Sequence, residues 1–236
     1  MPCDLLVFAP HPDDAEIHCG ATIAGHVRRG ARVIVVDATR GELGSRGTVE
    51  TRAREAAAAA AILGLAGREN LGLADGAIPS EDPAARALVV DALRRHRPST
   101  VLAISGHARH PDHLALAQLV RGAVKAAALH KLPSPSAAPA WGGARLWHYE
   151  AELPATPDLL VPATEEDWTA KLAAVRCYGS QLHRAGSSEP ATTIANPAFL
   201  AWIEHRGRTW GYVAGAAYAE AFTGDELPRM TDLRGV

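Results

Sequence analysis

The chain has 236 residues, 47% of them hydrophobic and 21% charged, with a formal net charge of -2. That length suits one sizeable α/β core, and the charge balance provides no field to recruit nucleic acid or an anionic membrane. Cys3, Cys19 and Cys177 are widely separated and form no CxxC pair, which excludes a disulfide framework and suits a reducing cytoplasm. No window approaches the roughly 18 apolar residues of a membrane span. The start of the chain has neither the basic nor the long apolar region of a signal peptide. The expectation is a soluble cytoplasmic protein with one domain over residues 1–236. Its core would cover about 1–130, with C-terminal strands and helices over about 140–236.

Leu5 to Ala9 reads as a first buried strand. Helical spacing follows from about Glu16 to Arg29, with Gly30 as the stop. Val33 to Val36 is a second β-branched run, and Thr39 to Thr48 is a polar, glycine-rich loop. An alanine-rich helix from Val49 to Leu63 leads to a brief strand near Glu69 to Leu71. A helix over Pro83 to Arg95, a strand over Thr100 to Ile104 and a helix from His113 to about Leu129 continue the alternation. Pro133 to Pro139 reads as a surface loop. Strands near Leu146 to Tyr149 and Asp158 to Val161 follow, then helices over Glu165 to Cys177 and Pro197 to Arg206. The segment Val213 to Phe222 reads as a final helix. Strand and helix alternating on short connections imply an α/β fold, a Rossmann-like, mostly parallel sheet flanked by helices on both faces.

In such sheets functional residues gather beyond the carboxyl ends of the strands. His11, Asp13 and Asp14 follow the first strand, and His110, Asp112 and His113 follow the strand ending near Ile104. Two clusters of metal-ligand residue types thus fall on one sheet edge. A catalytic zinc takes three protein ligands and keeps one open position. His11, Asp14 and His113 supply two imidazoles and a carboxylate, which suit Zn2+ and are compatible with Fe2+. Asp13 is then a candidate general base and His110 a candidate acid, kept protonated by a carboxylate such as Asp112. Taken singly, Asp13 or Asp14 would serve as a helix N-cap and His110-Pro-Asp-His113 as a polar helix start. His18, one helical turn from Asp14, is placed to approach the site, but the ligand count is complete without it. His26, His96, His130 and His205 read as ordinary surface or core residues. A nucleotide-binding Rossmann module without hydrolytic activity is the rival class, but His11-Pro-Asp-Asp14 stands where its glycine fingerprint would be.

Ala9-Pro-His-Pro-Asp-Asp-Ala-Glu16 and Arg109-His-Pro-Asp-His113 resemble the two signature motifs of the PIG-L/LmbE-type zinc-dependent N-deacetylases. The loop Thr39 to Thr48, the segment Arg68 to Gly76 and the closing Tyr218-Ala-Glu-Ala-Phe222 are similar to the branch that deacetylates N-acetylglucosaminyl-malate in bacillithiol biosynthesis. The resemblance implies a Rossmann-like fold, zinc on His11, Asp14 and His113, Asp13 as base and His110 as the electrophilic or acid partner. It implies substrate contacts at Arg52 and Arg109, whose guanidinium forks would suit a malate carboxylate, and a sugar-hydroxyl contact at Asp75. It also implies a tyrosine near the developing oxyanion, for which Tyr178 is a candidate, and a homo-oligomer, often a hexamer. Another N-acetylated amino sugar, a mycothiol-type precursor or a thiol-conjugate amide would fit the same site.

Overall fold

The computed structural model describes residues 2–226. Among these, seven strands form one sheet: β1 (Leu5–Ala9), β2 (Val33–Asp37), β3 (Gly67–Asn70), β4 (Thr100–Ile104), β5 (Arg145–Tyr149), β6 (Leu159–Ala163) and β7 (Tyr218–Gly224), in spatial order β3-β2-β1-β4-β5-β7-β6. The first five run parallel, and β7 pairs antiparallel with both β5 and β6. Six helices accompany them: α1 (Asp14–Arg28), α2 (Val49–Leu63), α3 (Pro83–His96), α4 (Pro111–Ala127), α5 (Glu165–Arg176) and α6 (Phe199–Ala214). None of the helices among the described residues is long and apolar enough to cross a membrane.

Because strand side chains alternate, β1 feeds two cores. Leu6 and Phe8 join Val89 and Leu93 of α3 and Leu116 and Val120 of α4 on one face. Leu5, Val7 and Ala9 join Ile23 of α1, Ala59 of α2 and Ala174 of α5 on the other. α6 lies outside this second layer, packing Phe199 and Ile203 on Ile17, Trp168 and Tyr218. Gly207 makes that approach possible, since a Cβ there would fall 2.1 Å from the Trp168 ring.

Two features depart from the sequence pattern. Val213 to Phe222 is not a helix: α6 ends at Ala214, Gly215 adopts a left-handed cap, and Tyr218 begins β7. Tyr218-Ala-Glu-Ala-Phe222 is buried throughout, so it lacks the in–out alternation that marks a half-exposed strand, and its alanines favour helix. The second feature is a break in α1 at Cys19 (φ -136°, ψ 22°). Glu220 reaches across from β7 and accepts hydrogen bonds from the Ala21 and Thr22 amides at 3.1 and 2.7 Å. Lys171 of α5 donates to the same carboxylate at 2.6 Å. The pair therefore caps the second half of α1 from inside the core.

Candidate metal centre

In the order above, β1 stands between β2 and β4, the point where connections leave in opposite directions. The crevice beyond the carboxyl ends of β1 and β4 is where such sheets bind ligands. His11, Asp13 and Asp14 follow β1, and His110 and His113 lie at the start of α4 after β4, so both expected clusters meet there. The ring centroids of His11 and His110 are 4.9 Å apart, those of His11 and His113 5.7 Å, and those of His110 and His113 5.0 Å. The site opens into a cavity of about 850 Å3.

Asp14 Oδ2 lies 3.1 Å from His11 Nδ1 and 3.4 Å from His113 Nε2. The edge of a tetrahedral zinc site with bonds of about 2.0–2.1 Å is about 3.3 Å, so Asp14 Oδ2 stands at a ligand's spacing from each of the two nitrogens. His11, His110 and His113 also bring one ring nitrogen each within 4.8 Å of one another. The outward nitrogens are also provided for. His11 Nε2 lies 3.0 Å from Asp75 Oδ1 and 3.2 Å from Asp112 Oδ2, and His113 Nδ1 lies 3.1 Å from Glu152 Oε1. The carboxylate of Asp112 behind His11 fixes its tautomer and directs the other nitrogen at the centre, whereas Glu152 stands beside His113 Nδ1 as a charge partner. Burial opposes charge on His11, yet hydrogen bonds to Asp112, Asp14 and Asp75 outweigh it and raise its pKa well above the ordinary value. For His113 burial likewise opposes charge, while Asp14 and Glu152 push the pKa up to about 9. So anionic a cradle favours a bound cation, and its donor set of imidazole and carboxylate fits a divalent transition metal. His11, Asp75 and Asp112 also lie close enough to form a ligand group, but this places the two carboxylates on the far nitrogen of His11.

Asp13 occupies the N-cap position of α1 without making a side-chain cap hydrogen bond. Its φ of 128° is rare for a residue with a side chain, a strain of the kind that clusters at functional sites. Its carboxylate accepts from Arg52 at 3.0 Å. Burial drives the Asp13 pKa upward, with Arg52 pulling the other way. His110 is the N-cap of α4 and its Nδ1 accepts from the Asp112 amide at 3.2 Å. That contact leaves the Nε2–H as the donor.

The structure revises three expectations about supporting residues. The Asp112 carboxylate backs His11 and accepts from the Gly76 and Ile78 amides, so it does not sustain a protonated His110. Burial and the neighbouring His11 and His113 lower the His110 pKa. Tyr178 is buried and donates to Glu16 at 3.1 Å, and no tyrosine lines the cavity among the described residues. His18, which the sequence presents as a bystander, lines the cavity with Nε2 3.8 Å from Asp14 Oδ1. Of the residues expected to contact substrate, Arg109 sits exposed on the cavity wall, whereas Arg52 is engaged with Asp13 and the Pro12 carbonyl. Asp75 lines the cavity while holding His11 and the Leu43 amide. Glu152 was missed in the sequence, although its place just beyond β5, on the same sheet edge, is the signal that would have found it.

Sheet and cradle together define an α/β protein with a candidate His/Asp metal centre at its switch point. The chain belongs to the PIG-L family: the model described as GlcNAc-PI de-N-acetylase matches residues 6–124. It is 33% identical over 167 residues to the 1D-myo-inositol 2-acetamido-2-deoxy-alpha-D-glucopyranoside deacetylase of Nakamurella multipartita, a match covering 54% of this chain and 57% of that protein. A Bacillus anthracis protein named "Probable N-acetyl-alpha-D-glucosaminyl L-malate deacetylase 2" is 28% identical over 75% of this chain and 80% of its own length. The conserved protein TT1542 from Thermus thermophilus superposes with a TM-score of 0.86 at 37% identity, over 98% of both chains.

Proposed function

We propose that this chain is a metal-dependent N-deacetylase that removes the acetyl group from an N-acetylglucosamine conjugate. The observation that carries this reading is Asp14 Oδ2 set between His11 Nδ1 and His113 Nε2, beside an Asp13 carboxylate that is in neither ligand contact. His11, Asp14 and His113 would hold the ion, zinc or Fe2+, which when bound polarises an amide carbonyl and makes water acidic near neutrality. Asp13, buried and pushed toward a neutral-range pKa, receives the proton of the attacking water. Arg52 holds that carboxylate in place through Oδ2. The His110 Nε2–H donates a hydrogen bond to the tetrahedral oxygen, and the proton that Asp13 took from water passes to the departing amine. Cleavage of the C–N bond yields acetate and the free glucosamine nitrogen.

For the substrate we infer the malate glycoside of N-acetylglucosamine, as in bacillithiol biosynthesis. The name of the Bacillus anthracis relative and the exposed Arg109 fork on the cavity wall support it. The cytoplasm, as sparse unpaired cysteines suggest, and a homo-oligomer, as large as a hexamer, complete the reading. Light scattering measures the assembly. Amine release from N-acetylglucosaminyl-malate, the inositol glycoside and free N-acetylglucosamine tests the substrate. The malate glycoside should have the highest kcat/KM, and equal values for all three would overturn the malate assignment.

A further inference from the structure

Building on the amino-sugar reading, we propose that Trp202, braced by Arg206, is the platform on which the C–H face of the substrate's pyranose ring stacks. Trp202 lies on α6 and lines the cavity, with Phe199 one turn earlier. Their rings are stacked at 5.6 Å between centroids. One turn later, Arg206 places its guanidinium carbon 4.4 Å from the indole centroid. That guanidinium is itself fixed: it donates to the Ala151 carbonyl at 2.8 Å, to the Ile17 carbonyl at 3.4 Å and to His18 Nδ1 at 3.2 Å. An indole so clamped forfeits little conformational freedom when a ligand settles on it.

The platform is close to the metal centre. The His18 ring lies 6.5 Å from Trp202 and 6.4 Å from His113, so one imidazole separates the two. A ring stacked on the indole therefore lies in the same cavity as the cradle, with the His18 ring between them. The surroundings choose a sugar over an alkyl or acyl chain, which would call for apolar walls on every side. Here Thr192, Thr193 and Asn196 border the aromatic wall on the loop before α6. Thr192 Oγ1 accepts from the Ala195 amide and Asn196 Oδ1 from the Ala198 amide, which directs the hydroxyl hydrogen and the amide nitrogen away from those contacts. A flat apolar patch rimmed by fixed polar groups matches a pyranose, whose C–H bonds cluster on a face and whose hydroxyls project from the edge.

The test combines Trp202→Ala and Trp202→Phe with two readouts. In saturation-transfer NMR, methyl glucosaminide is the unreactive probe, and the wild-type protein should saturate the protons of one ring face most strongly. Trp202→Ala should abolish that pattern and Trp202→Phe retain part of it. In kinetics with N-acetylglucosaminides, Trp202→Ala should raise KM about tenfold with kcat nearly unchanged. An unchanged KM together with an unchanged saturation pattern overturns the platform. So does a KM effect that appears only with longer N-acyl chains. A wild-type protein that shows the face pattern yet hydrolyses no N-acetyl amide supports the platform and refutes the deacetylase reading instead. If Trp202→Ala fails to fold, the Trp202→Phe pattern decides, because a merely structural role leaves it identical to wild type.

Discussion

The buried Glu220–Lys171 pair offers the sharpest test of how the fold holds the second half of α1, beyond the Cys19 break. Glu220→Ala removes three contacts at once: the Lys171 ammonium at 2.6 Å and the two amides exposed by the Cys19 break. Stripping one partner from a buried ion pair costs about 3–5 kcal/mol. Each orphaned amide adds about 1–3 kcal/mol where water cannot reach it. These figures overlap, because burial already pulls the Lys171 pKa down and Glu220 opposes it. Without its partner the amine would shed its proton, which caps the loss at about 4–6 kcal/mol. In a chain of this size that corresponds to a fall in Tm of about 10–20 °C. Urea unfolding of Glu220→Ala, Lys171→Met and the double variant measures it as a cycle. The double variant should be more stable than the sum of the single losses by at least about 1 kcal/mol. A Glu220→Ala loss below about 1 kcal/mol, or strict additivity, would refute the reasoning.

Other expectations follow from the site and from α5. Asp112→Asn weakens the support behind His11 and should reduce zinc affinity about 10–100-fold in a chelator competition. Arg52→Lys should lower kcat with KM for the malate glycoside unchanged, because the guanidinium holds Asp13. A raised KM with kcat intact would return Arg52 to the substrate. Asp167 would be raised by burial, but hydrogen bonds from Arg28 and Thr164 outweigh this and hold its pKa at about 2. A depressed carboxylate pKa stabilises the fold above its unfolded value and loses that contribution as pH falls through the folded value. The Tm gap between wild type and Asp167→Asn should therefore be full above about pH 5 and close toward about pH 2. A gap that does not vary with pH would contradict the assignment.

The candidate metal cluster was legible because it uses unusual residue types at two strand ends, where the period of the chain changes. His11, Asp14 and His113 needed only the order of strands to be brought together. What sequence could not supply was the use of side chains behind the site. Arg52 reads as a guanidinium turned to the substrate, yet α2 directs it to Asp13. Asp112 stands beside His110 in sequence, but a helix N-terminus sends its carboxylate to His11. β7 was hidden for the opposite reason: a fully buried strand bounded by Gly215 and carrying a paired glutamate shows neither alternation nor an apolar run. Pairings between distant elements decide such cases, and single-chain periodicity does not encode them.

The most direct test of the metal-dependent deacetylase is amine release from N-acetylglucosaminyl-malate by protein stripped with a chelator and then titrated with zinc. Release should be absent from the stripped protein and return in full at one zinc per chain, while Asp14→Asn should bind zinc more weakly and recover little. Full release from the stripped protein would contradict a metal centre at His11, Asp14 and His113.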